Sequence, residues 1–468
     1  MPHEIAENAE AIDIGEEGNT VVRHNNRVVF VKGLVPGDIA DIKIVKKKKK
    51  YALGRVISIK TLSPMRVKPV CKHFGTCGGC SWQNLDYEKQ VAFKQKHAED
   101  AFERIGRITV ENKLPIVRSA NIYHYRNKLE FTFSGKRWLT HEEMADTANF
   151  NQPGLGFHIP GLFDKILDLQ ECHLQPEPSN SIRNEVREFT VKEKMPYFDI
   201  NAQEGFLRNI MIRNSTTGEV MVVVVFFKDD EEMRNKLLSH ITKKFPQITS
   251  LQYIINSKKN DSFSDLSAVT YSGKEYITEH MIKKNGDVLK FRISPQSFFQ
   301  TNTAQANALY QKVSEFAELK GNEIVYDLYT GCGTIASFIA SETASVVGIE
   351  YVEQAVADAK INAELNKIKN VEFFAGDMQK MLTEEFCRHH GMPNVVITDP
   401  PRAGMHPDVV NAILKMAPEK IVYVSCNPST QARDIALMKE KYSVKTIQPF
   451  DMFPHTSHVE NVALLVRN

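Results

Sequence analysis

The sequence has no long apolar run. No stretch approaches the roughly 18 residues needed to cross a bilayer, so a membrane span is not expected. The opening residues, Met1-Pro2-His3-Glu4-Ile5-Ala6-Glu7, lack the basic start and apolar centre of an export signal. Cysteine is sparse: seven in 468 residues, an odd count without an export signal, which favours ligands or nucleophiles over disulfides. Together these absences predict a cytoplasmic protein with no membrane association and no obligate protein partner. Internal repeats are missing, and the one low-complexity tract is a lysine run, which excludes solenoid and fibrous architectures. Carboxylates are missing from one place in particular. Between Lys43 and Lys72 stand eleven basic residues and no acid, although the whole chain nets only +2. Thirty residues without one carboxylate in an otherwise balanced chain favour a polyanion partner, RNA or DNA, over a merely solvated face.

The length allows about three domains at roughly 150 residues each. Apolar residues at 42% and charged residues at 25% are those of an ordinary globular protein. Residues 1–65 hold short β-branched runs (Thr20-Val21-Val22, Arg27–Val31, Asp38–Val45, Gly54–Ile59) separated by Gly15, Gly18, Gly33 and Pro36-Gly37. That spacing predicts a small β-barrel. Phe30-Val31-Lys32-Gly33-Leu34-Val35-Pro36-Gly37-Asp38 resembles the TRAM domain of RNA-modifying enzymes. Residues 66–285 read as a mixed α+β segment: a cysteine loop, a helix over Asp86–Ile105, and strands such as Asn127–Ser134 and Gly218–Phe227. From 286 to 468, apolar runs alternate with helical patterns: Ile324–Leu328, Ser345–Ile349, Val371–Phe374, Val395–Thr398 and Ile421–Val424. The alternation predicts an α/β fold with a parallel sheet covered by helices.

Within it, strand Val325–Tyr329 runs into Gly331-Cys332-Gly333-Thr334 and then a helical stretch, and the next strand ends on Glu350, nineteen residues past Gly331. Ligands of such sheets bind at the carboxyl ends of the strands, where an acid after the second strand can hold ribose hydroxyls. The third glycine of a dinucleotide fingerprint is absent, and the pattern points to S-adenosylmethionine instead. Asp377, after the third strand, is placed to reach the adenine.

Cys426 ends the fifth strand and Asp399 the fourth, so both face the cofactor edge. Strand Ser443–Gln448 reaches the same edge, and the short connector Pro449–His458 permits only an antiparallel return, which brings Glu460 there as well. A thiol, a base and a methyl donor at one edge suit methylation at C5 of a uracil ring. C5 is a poor nucleophile until a thiolate adds to C6, and a base must then take the C5 proton. Two rival readings stand beside this one. Asp399-Pro400-Pro401 also occurs in enzymes that methylate exocyclic amines, although an aromatic usually follows where Arg402 stands here. A non-catalytic RNA-binding protein is the other.

Five ordered motifs carry a closer resemblance: Ser294-Pro295-Gln296-Ser297-Phe298-Phe299-Gln300-Thr301-Asn302, Asp327–Gly333, Asp399-Pro400-Pro401-Arg402-Ala403-Gly404, Val424-Ser425-Cys426-Asn427-Pro428 and His455-Thr456-Ser457-His458-Val459-Glu460. They resemble the RNA 5-methyluridine methyltransferase family over nearly the whole chain. The resemblance implies a Rossmann-like S-adenosylmethionine-dependent methyltransferase domain. It implies Cys426 as nucleophile and Glu460 as base, with Gln300, Tyr329, Glu350 and Asp399 contacting S-adenosylmethionine. Thr334 is counted with these contacts, where some relatives have Asn. Cys71, Cys77 and Cys80 with Cys172 supply four thiols, enough for a [4Fe–4S] cluster or a tetrahedral zinc. The resemblance implies the cluster, in a structural or RNA-positioning role. Barrel and cluster together resemble the members that act on structured RNA of the large ribosomal subunit, 23S rRNA, with tRNA as the alternative substrate.

Overall fold

The computed structural model describes residues 4–15, 17–140, 142–147, 150–263 and 265–468. Five strands, β1 (Ile5–Ile14), β2 (Thr20–His24), β3 (Arg27–Val31), β4 (Ile39–Lys47) and β5 (Tyr51–Thr61), close into a barrel in the order β1-β2-β3-β5-β4. Alternation drives it: Ala40, Ile42 and Ile44 of β4 point inward with Val22, Val29 and Val31, while the residues between them face out. Lys46 to Lys50, at the β4–β5 turn, are all exposed. Buried Asp38 fastens the barrel to the adjoining segment of chain by accepting from the Ser63 N–H (2.9 Å) and the Arg66 guanidinium (2.8 Å).

The cysteine loop then leads into α1 (Tyr87–Asp100), whose Asp86 cap accepts from the Glu88 N–H, and a wider turn extends the helix to Gly106. A short strand, β6 (Val110–Lys113), comes next. The central segment is a seven-stranded sheet of β7 (Lys128–Ser134), β8 (Gly154–Ile159), β9 (Leu162–Asp168), β10 (Leu207–Asn214), β11 (Val220–Phe226), β12 (Ser250–Ile255) and β13 (Val269–Gly273), ordered β13-β12-β11-β10-β7-β8-β9. Helices α2 (Ser179–Lys192) and α3 (Glu231–Lys244) cover one face through Ile182, Val186, Leu237 and Ile241. The other face, through Met211, Val223, Val225 and Ile254, joins the core of the carboxyl-terminal half. Burial on both sides explains why β11 reads Val-Met-Val-Val-Val-Val-Phe without polar alternation.

A hairpin, β14 (Ile277–Ile282) and β15 (Val288–Ile293), and helix α4 (Thr303–Ala317) precede the large sheet. That sheet contains β16 (Ile324–Leu328), β17 (Ser345–Glu350), β18 (Val371–Ala375), β19 (Val395–Thr398), β20 (Lys420–Ser425), β21 (Tyr442–Phe450) and β22 (Glu460–Arg467), ordered β18-β17-β16-β19-β20-β22-β21-β6. Strands β16 to β20 are parallel, and β22 inserts antiparallel between β20 and β21. The five apolar runs of the sequence are thus five neighbouring strands of an α/β fold, connected through helices α5 (Thr334–Ile339), α6 (Glu353–Leu365), α7 (Met378–Met381), α8 (Glu384–His390) and α9 (Pro407–Met416), with α10 (Pro428–Ala436) after β20. Alternate residues serve two cores: Val325, Val346 and Ile397 on one face, Tyr326, Val347 and Val396 on the other. No helix among the described residues is long and apolar enough to cross a membrane.

Candidate active site

The glycine loop after β16 has a backbone that few residues tolerate. Tyr329, Gly331 and Gly333 all have positive φ (63°, 56° and 75°). A Cβ on Gly333 would lie 2.8 Å from the Phe373 ring, so that glycine is needed for packing, whereas Gly331 faces open space. Helix α5 (Thr334–Ile339) starts directly from Gly333. Glu350, at the end of β17, accepts from the Gly331 N–H (3.1 Å) and the Val352 N–H (3.0 Å), which fixes its carboxylate beside the loop. Asp377 caps α7 (Met378–Met381) at the end of the neighbouring β18, accepting from the Gln379 N–H (3.1 Å). The Tyr329 phenol, pushed up to about 12 by burial, also senses Asp434, Asp377 and Glu350.

The Ser294–Asn302 turn crosses this loop. Ser297 donates to Asp358, Arg213 holds the Ser297 carbonyl (3.1 Å), Asn302 caps α4, and the Phe298 carbonyl accepts from the Cys332 thiol (3.4 Å). Gln300 is therefore carried to the glycine loop by an anchored backbone, its own carbonyl held by Asn127 (2.9 Å). The Thr334 hydroxyl lies 3.4 Å from the Tyr310 hydroxyl on α4.

Two residues at this site carry no role on sequence grounds. Asp327 is fully buried, accepts from the Thr330 hydroxyl and the Ala336 N–H (3.1 Å), and leaves Oδ1 without a partner. Burial pushes its carboxyl up to about 7, and burial, with the charge of Asp327, does the same to Asp399. A positive charge brought beside either carboxyl would lower it again. The signal for Asp327 was an acid inside an apolar strand. Arg402, the second, supplies the cation beside the thiol. Its Nη2 reaches the His458 ring (2.6 Å), and it donates to Cys426.

Cys426 and Glu460 come together by register. Ser425 of β20 pairs with Asn461 of β22, so the next residues along, Cys426 and Glu460, oppose each other at the edge. Gln431 of α10 (Pro428–Ala436) locks the pairing by donating to the Tyr423 carbonyl (2.7 Å) and the Asn461 carbonyl (3.2 Å). Asn427 caps α10 by accepting from the Ser429 N–H (3.0 Å), which leaves Cys426 just ahead of a helix N-terminus. The Asp399–Gly404 turn is pinned to the same helix, since buried Asp434 accepts from the Met405 N–H (2.7 Å) and Arg433 donates to the Ala403 carbonyl (2.8 Å). Burial pushes the Cys426 thiol up to about 11, with Glu460 and Asp399 adding to the rise and Arg402 opposing it. Burial also lifts Glu460 up to about 8, aided by Asp399 and opposed by Arg402.

The site opens into a cavity of about 1290 Å³ lined by Gly18 and Lys32 of the barrel, Gly78 and Cys80, Trp138, and Cys426 with His458. That exceeds the roughly 300–1,000 Å³ of small-molecule clefts and leaves room for a polymer segment. The loop 455–459 that leads into β22 is held from this side too. The His455 carbonyl accepts from the Ser81 N–H (2.9 Å) and the Trp82 N–H (3.0 Å), and the Trp82 indole donates to the Gly18 carbonyl (3.2 Å).

Cys71, Cys77, Cys80 and Cys172 are free, half-buried thiols that perturb one another's ionisation. N–H groups aim at each sulfur: His73 and Phe74 at Cys71, Gly79 at Cys77, the Gln83 amide at Cys80 (3.3 Å) and Leu174 at Cys172. Among the described residues, no group of three or more His, Cys, Asp or Glu side chains is set to hold a metal ion.

Comparison with known proteins places this arrangement. A family described as tRNA (Uracil-5-)-methyltransferase matches residues 206–468, and the TRAM domain matches residues 11–57. A Bacteroides thetaiotaomicron protein named as an uncharacterized RNA methyltransferase is 52% identical over 453 residues, covering 96% of this chain and 99% of that one. One of Porphyromonas gingivalis under the same name is 51% identical, covering 98% and 99%. Among solved structures, the Pyrococcus abyssi tRNA (uracil-54, C5)-methyltransferase in complex with S-adenosyl-L-homocysteine is 31% identical with a TM-score of 0.76, covering 98% of this chain and 99% of that one. The chain belongs to the tRNA (uracil-5-)-methyltransferase family and is an RNA (uracil-5-)-methyltransferase with a TRAM barrel at its amino-terminal end.

Proposed function

We propose that this enzyme methylates C5 of a uridine in structured RNA through a covalent adduct on Cys426, with S-adenosylmethionine as methyl donor. The register pairing that sets Cys426 against Glu460 carries the reading. Gln300, Tyr329, Glu350, Asp377 and Asp399 surround the donor's place, with Thr334 at the start of α5. Bound there, S-adenosylmethionine supplies an electrophilic methyl group. The half-protonated pair Asp327 and Asp399 suits its positive charge.

Arg402 and the α10 N-terminus favour the thiolate of Cys426 against its burial. The thiolate adds to C6, the C5–C6 double bond opens, and C5 becomes the nucleophile that accepts the methyl group. Glu460 then takes the C5 proton, the double bond re-forms and the C6–S bond breaks. A carboxyl held near 8 is a fitting acceptor for a carbon-bound proton at neutral pH.

Cys71, Cys77, Cys80 and Cys172 would hold a [4Fe–4S] cluster. Zinc needs its sulfurs about 2.3 Å from one ion, hence close together. What supports a shared ligand set is that the four thiols sense one another's charge. The N–H groups aimed at the sulfurs are the outer-shell donors such thiolates use. Held by these four thiols, such a group would cross-link the Cys71–Cys80 loop to Cys172 beside the cavity.

The barrel and cysteine loop together support large-subunit ribosomal RNA as substrate. Full-length likeness to a tRNA enzyme favours tRNA as the second reading. Base-resolution mapping of 5-methyluridine in ribosomal and transfer RNA, with and without the gene, separates them. RNA carrying 5-fluorouridine at the mapped site should trap a covalent complex with the wild type and none with Cys426→Ala. Turnover retained by that variant would overturn the thiol mechanism.

A further inference from the structure

One face of α1 grips the connector between β21 and β22. Tyr87, Gln90 and Lys94 stand three and four positions apart and so share that face. Gln90 and Lys94 are fully buried, at positions where a helix packed on a core ordinarily carries apolar side chains. All three reach residues 451–455. Lys94 Nζ donates to Asp451 Oδ1 (2.5 Å) and to the Phe453 carbonyl (2.9 Å). The Tyr87 hydroxyl donates to Asp451 Oδ2 (2.7 Å), and Gln90 Oε1 accepts from the His455 N–H (2.9 Å). That last bond secures a costly turn, because His455 has a φ of 65°, in the left-handed region that side chains disfavour. From α4, Gln305 donates to the Asp451 carbonyl (2.9 Å) and Asn302 to the Met452 carbonyl (3.0 Å). The rest of the connector presents Thr456, Ser457 and His458 to the cavity, and His458 meets Arg402 (2.6 Å).

The grip bears on Glu460 through register. Strands β21 and β22 pair Phe450 with Glu460, and Asp451 directly follows Phe450. A single ammonium that binds the first and third residues of the connector sets the bend by which the chain leaves β21 and returns at Glu460. We propose that Lys94, paired with Asp451, is a positioning residue for the Glu460 base: it holds the connector so that the carboxylate meets the C5 proton of the methylated adduct. The role rests on the reading of Glu460 above. Fully satisfied buried polar networks specify one arrangement, whereas apolar contacts of similar volume repack. Proton removal is the step exposed to misplacement, since thiol addition draws on β20 and α10, and the donor's place on the glycine loop. Lys94, fully buried, works through Asp451 and not on the RNA.

The test uses the whole enzyme with S-adenosylmethionine and an RNA fragment carrying the mapped uridine. Four proteins are compared: wild type, Lys94→Met, the double variant Lys94→Met with Asp451→Asn, and Glu460→Gln. Melting temperature, kcat, Kd for S-adenosylmethionine, and methylated covalent complex on denaturing gels are read. Lys94→Met strands the Asp451 charge and should melt lower, whereas the double variant removes both charges of the pair and should melt near the wild type. In both, kcat should fall on the order of a hundredfold, the cost of about 1 Å of misplacement, while Kd for S-adenosylmethionine holds. Methylated covalent complex should accumulate as in Glu460→Gln, a signature that lost stability alone does not give. Should both Lys94 variants fail to fold, Tyr87→Phe is read the same way: complex above the wild-type level supports the role, and none overturns it. A folded double variant that turns over like the wild type, or slows without accumulating complex, overturns the positioning role. A Glu460→Gln variant that accumulates no methylated complex overturns the base reading itself, a separate result on the same gel.

Discussion

Arg402→Met should disarm the nucleophile without removing it. With its thiol near 11, Cys426 is ionised in only about one molecule in several thousand at pH 7.5, so reaction depends on whatever favours the thiolate. Arg402 donates to that sulfur and adds its charge. Hydrogen bonds to charged groups are worth about 1.5–3 kcal/mol. Arg402 is exposed, so screening takes the lower end, roughly 1.5 kcal/mol or one pKa unit. The variant should therefore lose about tenfold in kcat/KM at pH 7.5, with the deficit shrinking as pH rises toward the thiol's new pKa. Two assays read it: methyl transfer to the target RNA across pH, and the iodoacetamide rate at the Cys426 peptide by mass spectrometry without RNA. An unchanged alkylation rate, or a loss equal at all pH values, would refute the reasoning and leave Arg402 as a substrate contact only.

Other consequences arise from the same geometry. Glu460→Gln should add thiol and accept methyl but lack the proton acceptor, so a methylated covalent complex should accumulate on denaturing gels; turnover within a few-fold of wild type would assign the base elsewhere. Asp327 and Asp399, each near 7, together hold about one proton at pH 7. A cationic ligand lowers both, so S-adenosylmethionine binding should release about one proton at pH 7 and none at pH 9, where both are already ionised. Calorimetry in buffers of different ionisation enthalpy checks this, and a buffer-independent heat at pH 7 would contradict it. Replacing Lys46 to Lys50 by Ser should flatten the salt dependence of RNA binding by slightly less than one unit per lost phosphate contact, while the rate at saturating RNA and the choice of uridine hold; an unchanged slope would mark the turn as a solvated face.

The parallel strands were legible because β16, β17, β19 and β20 are buried on both faces and so are written as largely apolar runs, while edge strand β18 shows itself through Val371, Phe373 and Phe374. Glu460 was legible because ten connecting residues leave β22 no path but an antiparallel return. Strand β1 was not. Its ladders slip between Ala6 and Ala9 and between Ala11 and Asp13, which destroys the two-residue period in Ile-Ala-Glu-Asn-Ala-Glu-Ala-Ile-Asp-Ile. The order of the central sheet was hidden for a different reason: β7 pairs with β10, more than seventy residues on, and local pattern carries no record of such distant partners. At the site, Arg402 and Asp327 act through charge at short range, visible only once the strand ends are gathered.

Strand β6 has an effect beyond its four residues. It pairs with Val444, Thr446 and Ile447 of β21, and Val117 continues the contact to Phe450. Without it, the nine-residue β21 would present a long row of open N–H and C=O groups, the template on which sheets of different molecules join. With it, the outermost strand is short, reads Val-Glu-Asn-Lys, is largely exposed, and is braced by Glu111 against Lys445 (2.5 Å). Charge and brevity make that rim a poor acceptor for another chain. A catalytic half cut free of residues 110–113 would therefore keep its chemistry on paper and lose its protection from self-association, a guard lent by a segment more than three hundred residues upstream of the strand it covers.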